Sequence, residues 1–534
     1  MIEAVKVLAS AGVLRPRNPV GLLKTVQAVK RWGLGPAGGF TAAAARVPQC
    51  EALIDEIGPL TFRQVDQRSN ALADSLRRLG VGPGDGVAIM CRNHRGFLDA
   101  SLGAAKLGAD MLYLNTAFAG PQLAEAIARE QPTMIVYDQE FERLLADVDH
   151  SCVAAVTRVL AWVDDPAAVS ASGSHSLEDL IERGSTAAHT PPDKPGRIVI
   201  LTSGTTGEPK GAPRREAGLG AAVALLSRMP IKTRWRVHIA APLFHTWGLA
   251  HLMLAMLMET SIVLTRHFDP EDCLDVMSKH RVDGAVVVPV MLQRILRLPE
   301  DVRVRYDLSN LKVVAASGSA LPGDLAEEWM DAFGDNLYNT YGSTEVAYAT
   351  IATPADMRAA PGTAGKPPLG TTVRLYEDDD SPAKPGEPGR IFVGNGMLFE
   401  GYTGGGGKQI IDGLMASGDV GRFDEEGRLF VEGRDDDMIV SGGENVFPQE
   451  IEDCLSRHEL VLEAAAIGVA DEEFGQRLKA FVVPVEPGAV TAEELQEHVK
   501  VSLARYKVPR EVVFLDELPR NGTGKILKRV LAEW

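Results

Sequence analysis

The chain has 534 residues, 45% hydrophobic and 24% charged, which is ordinary globular composition and enough for more than one domain. A net charge of −17 argues against general nucleic-acid binding, because a phosphate backbone would be repelled. No apolar run reaches the ~20 residues of a membrane span; the nearest, 249–264, carries His251 and Glu259 and reads as a buried helix.

Five cysteines (Cys50, Cys91, Cys152, Cys273, Cys454) are scattered, with no CxxC or Cys/His cluster. That argues against a disulfide scaffold or a structural zinc site and fits a reducing compartment. The N-terminus lacks the pattern of a secretory leader, so the expected location is cytoplasmic.

In chain order, residues 1–40 hold six basic side chains (Lys6, Arg15, Arg17, Lys24, Lys30, Arg31) against Glu3. Leu22, Leu23, Val26 and Val29 recur at helical spacing, with Lys24, Gln27 and Arg31 on the other face, Lys30 at its border and Trp32 at the end. Such a cationic amphipathic helix suits peripheral, salt-sensitive contact with an anionic membrane. The alternative is a helix docked by its apolar face on the protein.

From residue 61 helices and strands alternate. Thr61 and Gln64 form a capping box for a helix running to about Leu79, with Gly80 to end it. Strands are expected at 87–90, 111–114 and 134–137, and helices at 97–107 and 122–129. This alternation predicts an α/β fold with helix-covered, largely parallel sheets. The last hundred residues read as a separate small α+β unit, with helices at 449–456 and from the Thr491/Glu494 capping box to about 504, and a strand at 478–483. Residues 433–443 hold three aspartates and three glycines, the composition of a hinge.

The strongest chemical signal is an apolar strand from Ile198 running into Thr202-Ser203-Gly204-Thr205-Thr206-Gly207-Glu208-Pro209-Lys210-Gly211. Glycines let backbone N–H groups turn toward an anion, hydroxyls add donors, and Lys210 adds charge, which suits a triphosphate. A plain surface loop is the bland alternative. A Walker loop is disfavoured: Lys210 follows Pro209, and Gly524-Lys525 is followed by Ile526 with Pro519 at the first glycine position.

The loop resembles the phosphate loop of the adenylate-forming (AMP-binding) superfamily, and the chain resembles the bacterial fatty-acyl-CoA synthetases within it. Further segments match in the family's order over about residues 50–530. Gly318-Ser319-Ala320 resembles the adenine and acyl border. Asn339-Thr340-Tyr341-Gly342-Ser343-Thr344-Glu345 resembles the aromatic–Gly–x–Thr–Glu motif. Ser417-Gly418-Asp419 resembles the ribose motif, Gly433-Arg434-Asp435-Asp436-Asp437 the hinge, and Asn521-Gly522-Thr523-Gly524-Lys525 the C-terminal lysine motif. The resemblance implies a large N-terminal domain (1–435), a hinge at Asp436 and a small mobile C-terminal domain (437–534). It implies ATP, Mg²⁺ and coenzyme A, with Thr202 and Glu345 holding the metal and Ser441 and Gly442 facing coenzyme A.

The residue types suit these roles. Tyr341 offers a flat face for adenine, or is a core tyrosine. Thr344 can donate to phosphate, and Glu345 is a hard oxygen ligand for magnesium. Asp419 can accept from ribose hydroxyls, or marks a turn. Arg434 is a fixed cation. Lys525, by resemblance, bridges the substrate carboxylate and the α-phosphate, where charge builds in the transition state. One departure stands out: after Lys210-Gly211 comes Ala212-Pro213-Arg214-Arg215, without the histidine many relatives have.

The resemblance places the acyl pocket at Pro242–Leu249. This chain has Phe244-His245 where amino-acid adenylation domains carry an Asp beside the aromatic. His245, Trp247, Gly318 and Val346 are the expected acyl contacts, with His245 a pocket wall rather than a base. Apolar stretches at 285–290 and 313–316 suit a fatty acid, though about half of those side chains must be plain core. The expected partners are a small-molecule carboxylic acid, a membrane surface through residues 1–40 and a second copy in a homodimer. The alternatives are an aryl- or sterol-type acid–CoA ligase, an acyl-AMP ligase loading a carrier protein, and an inactive lipid-binding homologue.

Overall fold

The computed structural model describes residues 2–14, 19–33, 35–118, 120–146, 156–165, 174–203, 209–214, 219–401, 407–434, 439–441, 444–446, 448–471, 475–503, 507–521 and 524–534. Two sheets dominate the large domain. One has eight strands in the order Thr350–Ala352, Leu337–Tyr341, Val313–Ala316, Gly284–Val287, Arg236–Ile239, Ser261–Val263, Glu51–Asp55 and Gly58–Thr61. Its inner pairings are parallel and its two edge pairings antiparallel. The other has seven strands, in the order His175–Ser176, Thr157–Trp162, Met134–Asp138, Gly86–Met90, Asp110–Tyr113, Ile198–Ser203 and Pro209–Arg214. It is parallel except for its last pairing.

Three N-terminal helices, α1 (Ile2–Ala11), α2 (Pro19–Trp32) and α3 (Pro36–Arg46), precede the sheets. Helices α4 (Phe62–Arg78) and α5 (Arg95–Leu107) lie between them. Strand 86–90 shows why: Val87 and Ile89 face the shared core while Ala88 and Met90 face a second one, as period-two alternation requires. Every residue of α5 is buried. The Thr61/Gln64 capping box closes with both of its hydrogen bonds, and the one at Thr491/Glu494 does too.

A five-stranded antiparallel sheet over 372–434 follows. The C-terminal unit has a sheet built on the long pair Val461–Asp471 and Gly475–Pro484, packed by helices Pro448–Ser456 and Ala492–Ser502 around a separate core. Among the described residues no helix is long and apolar enough to cross a membrane.

Two expectations are corrected. The apolar run 249–264 is not one helix. The helix Thr246–Leu257 ends, Glu259 takes φ +52°, and strand Ser261–Val263 begins. Glu259 is stabilised in its buried place by ion pairs to Arg46 and Arg234. Nor do the apolar residues of α2 share one fate. Ala28 is buried and Val29 half-buried, whereas Leu23 and Val26 are 60% and 55% exposed.

Candidate active site

The carboxyl ends of parallel strands are where open α/β sheets bind ligands. Strand Arg236–Ile239 delivers Pro242–His245, and Val313–Ala316 delivers Gly318, Ser319 and Ala320. Strand Leu337–Tyr341 carries Asn339, Thr340 and Tyr341 and runs on to Gly342, Ser343, Thr344 and Glu345. With Asp419 and Lys525 these line a single cleft of about 2640 Å³.

Within the cleft the Tyr341 hydroxyl donates to Asp419 Oδ2 (2.5 Å) and to Ser417 Oγ (3.2 Å). Ser417 Oγ also accepts the Asp419 N–H (3.1 Å), so the aspartate is fixed from two sides. Ser343 Oγ donates to Glu345 Oε2 (2.8 Å). Buried polar atoms are normally paired. Yet Asn339 Oδ1, Thr340 Oγ1, Thr246 Oγ1 and His245 Nε2 are sealed from solvent without a partner among the described residues, and all four residues line the cleft. Such a set is what a polar ligand would satisfy. Burial pushes the His245 imidazole down to about 3, so it is neutral at ordinary pH. Trp247 Nε1–H donates to Val287 O (3.1 Å), which turns the indole into the wall.

The lysine loop docks against the large domain. Gly524 has φ +79°, and a Cβ there would fall 2.6 Å from Val290 Cγ1 on helix Pro289–Leu296. Glycine therefore fits a position where both the dihedral and the space exclude a side chain. Behind the loop, Glu463 bonds Arg520 (2.9 Å) and lies 3.6 Å from Arg297 of the large domain. Leu462 O accepts from Arg297 Nη2 (3.0 Å) and Gln293 Nε2 (3.3 Å). Arg520 in turn donates to Gly524 O. This latch was not legible in the sequence, since its members lie far apart along the chain and match no motif.

The other expected residues divide. Thr202 and Lys210 pair across the hairpin of strands 198–203 and 209–214, with Ser203 opposite Pro209; only their backbone is described. Gly204, Thr205, Thr206, Gly207, Asp436 and Gly442 lie outside the described residues. Arg434 stands opposite Asp419 in register, and Ser441 ends a strand; only their backbone is described. Val346 is fully buried in a cluster with Ala349, Ile391 and Val393 rather than on the cleft wall, because the chain turns inward after Glu345.

Away from the cleft the fold gathers Cys91, His94 and Asp138, buried and within 4.8 Å of one another. Their polar atoms are occupied. Gly96 N–H donates to His94 Nδ1, His94 Nε2–H donates to Asp138 Oδ1, and Arg92 N–H donates to Asp138 Oδ2. Burial raises the Cys91 thiol well above its ordinary range. A protonated thiol and a doubly bonded imidazole make a strand-end clamp, not a metal ligand set.

Comparison with known proteins agrees with this arrangement. The AMP-binding enzyme family matches residues 40–403, and the AMP-binding enzyme C-terminal domain matches 450–525. A feruloyl-CoA synthase from Amycolatopsis is 34% identical over 88% of this chain and 92% of its own length. A long-chain-fatty-acid–CoA ligase from Mycobacterium tuberculosis is 30% identical over 89% and 93%. The crystal structure of an anthranilate CoA ligase in complex with anthranoyl-AMP superposes with a TM-score of 0.84 at 25% identity, covering 93% of this chain and 96% of that one. With its large domain, its small domain and its cleft all accounted for, the chain belongs to the AMP-binding enzyme family.

Proposed function

We propose that the protein is an AMP-forming acid–CoA ligase. It activates an apolar carboxylic acid, within that class a medium- to long-chain fatty acid, and passes the acyl group to coenzyme A. The observation that carries this reading is the docking of the Lys525 loop over the cleft that holds Tyr341, Glu345 and Asp419.

The chemistry follows from those groups. The acid is already ionised at neutral pH and needs no base, in keeping with a neutral His245. Its carboxylate attacks the α-phosphorus of ATP and pyrophosphate leaves. Lys525 places a cation where charge accumulates on the transferring phosphorus. Tyr341 stacks on adenine, Asp419 accepts from the ribose hydroxyls, and Glu345 with Thr202 would hold the magnesium that neutralises phosphate charge. Thioester formation needs Lys525 to withdraw, which a rotation about Asp436 supplies.

An aryl acid is the second reading, favoured by relatives named for feruloyl, indoleacetate and anthranilate substrates. A pyrophosphate-release screen over saturated and aromatic acids, with and without coenzyme A, separates them. Highest kcat/KM on a hexadecanoate-length acid supports the first, and highest on an arylpropenoate overturns it in favour of the second. Peripheral membrane contact belongs to the same reading, supported by exposed Leu23 and Val26 on the helix that carries exposed Lys30 and Arg31. The double variant Leu23→Asp, Val26→Asp should lose sedimentation with anionic vesicles at low salt; undiminished sedimentation would refute that contact.

A further inference from the structure

The cleft has an apolar branch leading away from the nucleotide residues, along helix Thr246–Leu257. That helix is apolar on nearly every side, and most of it is buried. Beyond Thr246, the residues left partly open are Trp247, Ala250, Met253 and Leu257, and all four line the cleft. Steps of three, three and four residues keep them on one helical face. A helix of this length measures about 18 Å at 1.5 Å per residue. The branch thus starts at the acid end, beside His245, and reaches far enough for an extended acyl chain or a fused ring system.

Its opposite wall comes from the N-terminal helices. Thr25 and Val29 of α2, and Gly39, Ala42 and Ala43 of α3, line the same cleft. The α3 residues are small where they meet the long helix: a Cβ on Gly39 would lie 2.9 Å from Met256 Sδ. At the far end Arg46 is paired with Glu259 (2.7 Å) and donates to Leu257 O (3.2 Å), so its charge is committed to the protein. Helix α2 lies wholly before residue 40, where the family match begins. The α2 part of this wall is therefore supplied by residues that precede the family match.

We propose that α2 is the specificity wall of the acyl branch, and that Thr25 and Val29 contact the apolar end of the acid remote from its carboxylate and so set the length or bulk accepted. This rests on the ligase reading above. Acids too short to reach α2 are indifferent to it, whereas long ones pack against it. Val29 is half-buried, so it can be enlarged with the added atoms directed into the branch.

The test compares kcat/KM for pyrophosphate release with hexanoate and hexadecanoate in the full-length enzyme. Overfilling a packed apolar site costs on the order of 1–3 kcal/mol. Val29→Trp should thus lower the hexadecanoate value about tenfold or more and leave hexanoate within about twofold. Val29→Ala, which removes bulk without risk of a clash, should shift preference toward longer acids. Should the wild type prefer aryl acids, benzoate and a biphenyl carboxylate replace the pair. Failure of the wild type on every apolar acid sinks the ligase reading itself. A wild type active on long acids, with a folded Val29→Trp that changes both acids equally or neither, overturns this inference alone; Val29→Ala without a shift does the same.

Discussion

Lys525 is an exposed side chain whose backbone, not its ammonium, is held among the described residues. Its N–H donates to Asn521 Oδ1 (2.9 Å), and Asn521 N–H donates back to Lys525 O (2.9 Å). The loop is thus fixed while the charged end stays available to a ligand. Removing one preorganised transition-state donor commonly costs ~10²–10³ in rate. Lys525→Ala should lower acyl-adenylate formation by about that factor, with far less effect on thioester formation from preformed acyl-AMP. Isotope exchange between pyrophosphate and ATP reads the first step, and thiol consumption reads the second. Equal losses in both would assign Lys525 a structural role.

At the scale of elements, the orientation seen here is fastened by the Arg297–Glu463–Arg520 latch and by the Leu462 carbonyl. Partly exposed ion pairs are individually weak, about 0–1 kcal/mol. On the proposed reading, in which the small domain takes two successive orientations, such a latch favours one of them without freezing it. Arg297→Ala removes both the contact to Glu463 and the hydrogen bond to Leu462 O. The expected result is a several-fold slower adenylation step, of the order of threefold to tenfold for about 1 kcal/mol, with thioester formation unchanged or faster. Slowing of both steps alike would show that the latch does not favour one orientation.

For the whole molecule, three histidines lie in the interior of the large domain or its cleft. Burial pushes His238, His245 and His251 down to about 4, about 3 and about 4. His238 Nδ1–H donates to Val263 O and His251 Nδ1–H to Trp247 O; these bonds favour the charged form, but burial outweighs them and the neutral form prevails. Unfolded histidine takes up a proton below 6.5, and these do not until about 3–4. Their contribution to stability is complete above 6.5 and is lost as pH falls toward 4, at up to about 1.4 kcal/mol per pH unit for each. Asp453 opposes them. Burial pushes it up to about 6, so its contribution is lost as pH rises from 3.8 to 6. The urea midpoint should therefore fall between pH 7 and pH 5, and His238→Asn, which can keep the hydrogen bond to Val263 O, should flatten that slope. An unchanged slope would mean that His238 takes up its proton at the same pH in the folded and the unfolded chain.

By itself the sequence determined which chemistry the chain carries and most of its regular elements. Capping boxes at Thr61 and Thr491, period-two strands and hydroxyl-rich or glycine-rich loops are local patterns, and local sterics and hydrogen bonding are enough to read them. The tertiary structure decided what depends on distant neighbours. It turned Val346 into the core, ended the apolar helix at Leu257 so that buried Glu259 could meet Arg46 and Arg234, and split α2 into an exposed edge and a cleft wall. It also brought Cys91, His94 and Asp138 together from strand ends that the sequence holds more than forty residues apart. Apolar periodicity says that a face will be covered but not by what, because burial is non-directional. Whether the cover is core, cavity or solvent was fixed only when the two sheets and the N-terminal helices packed.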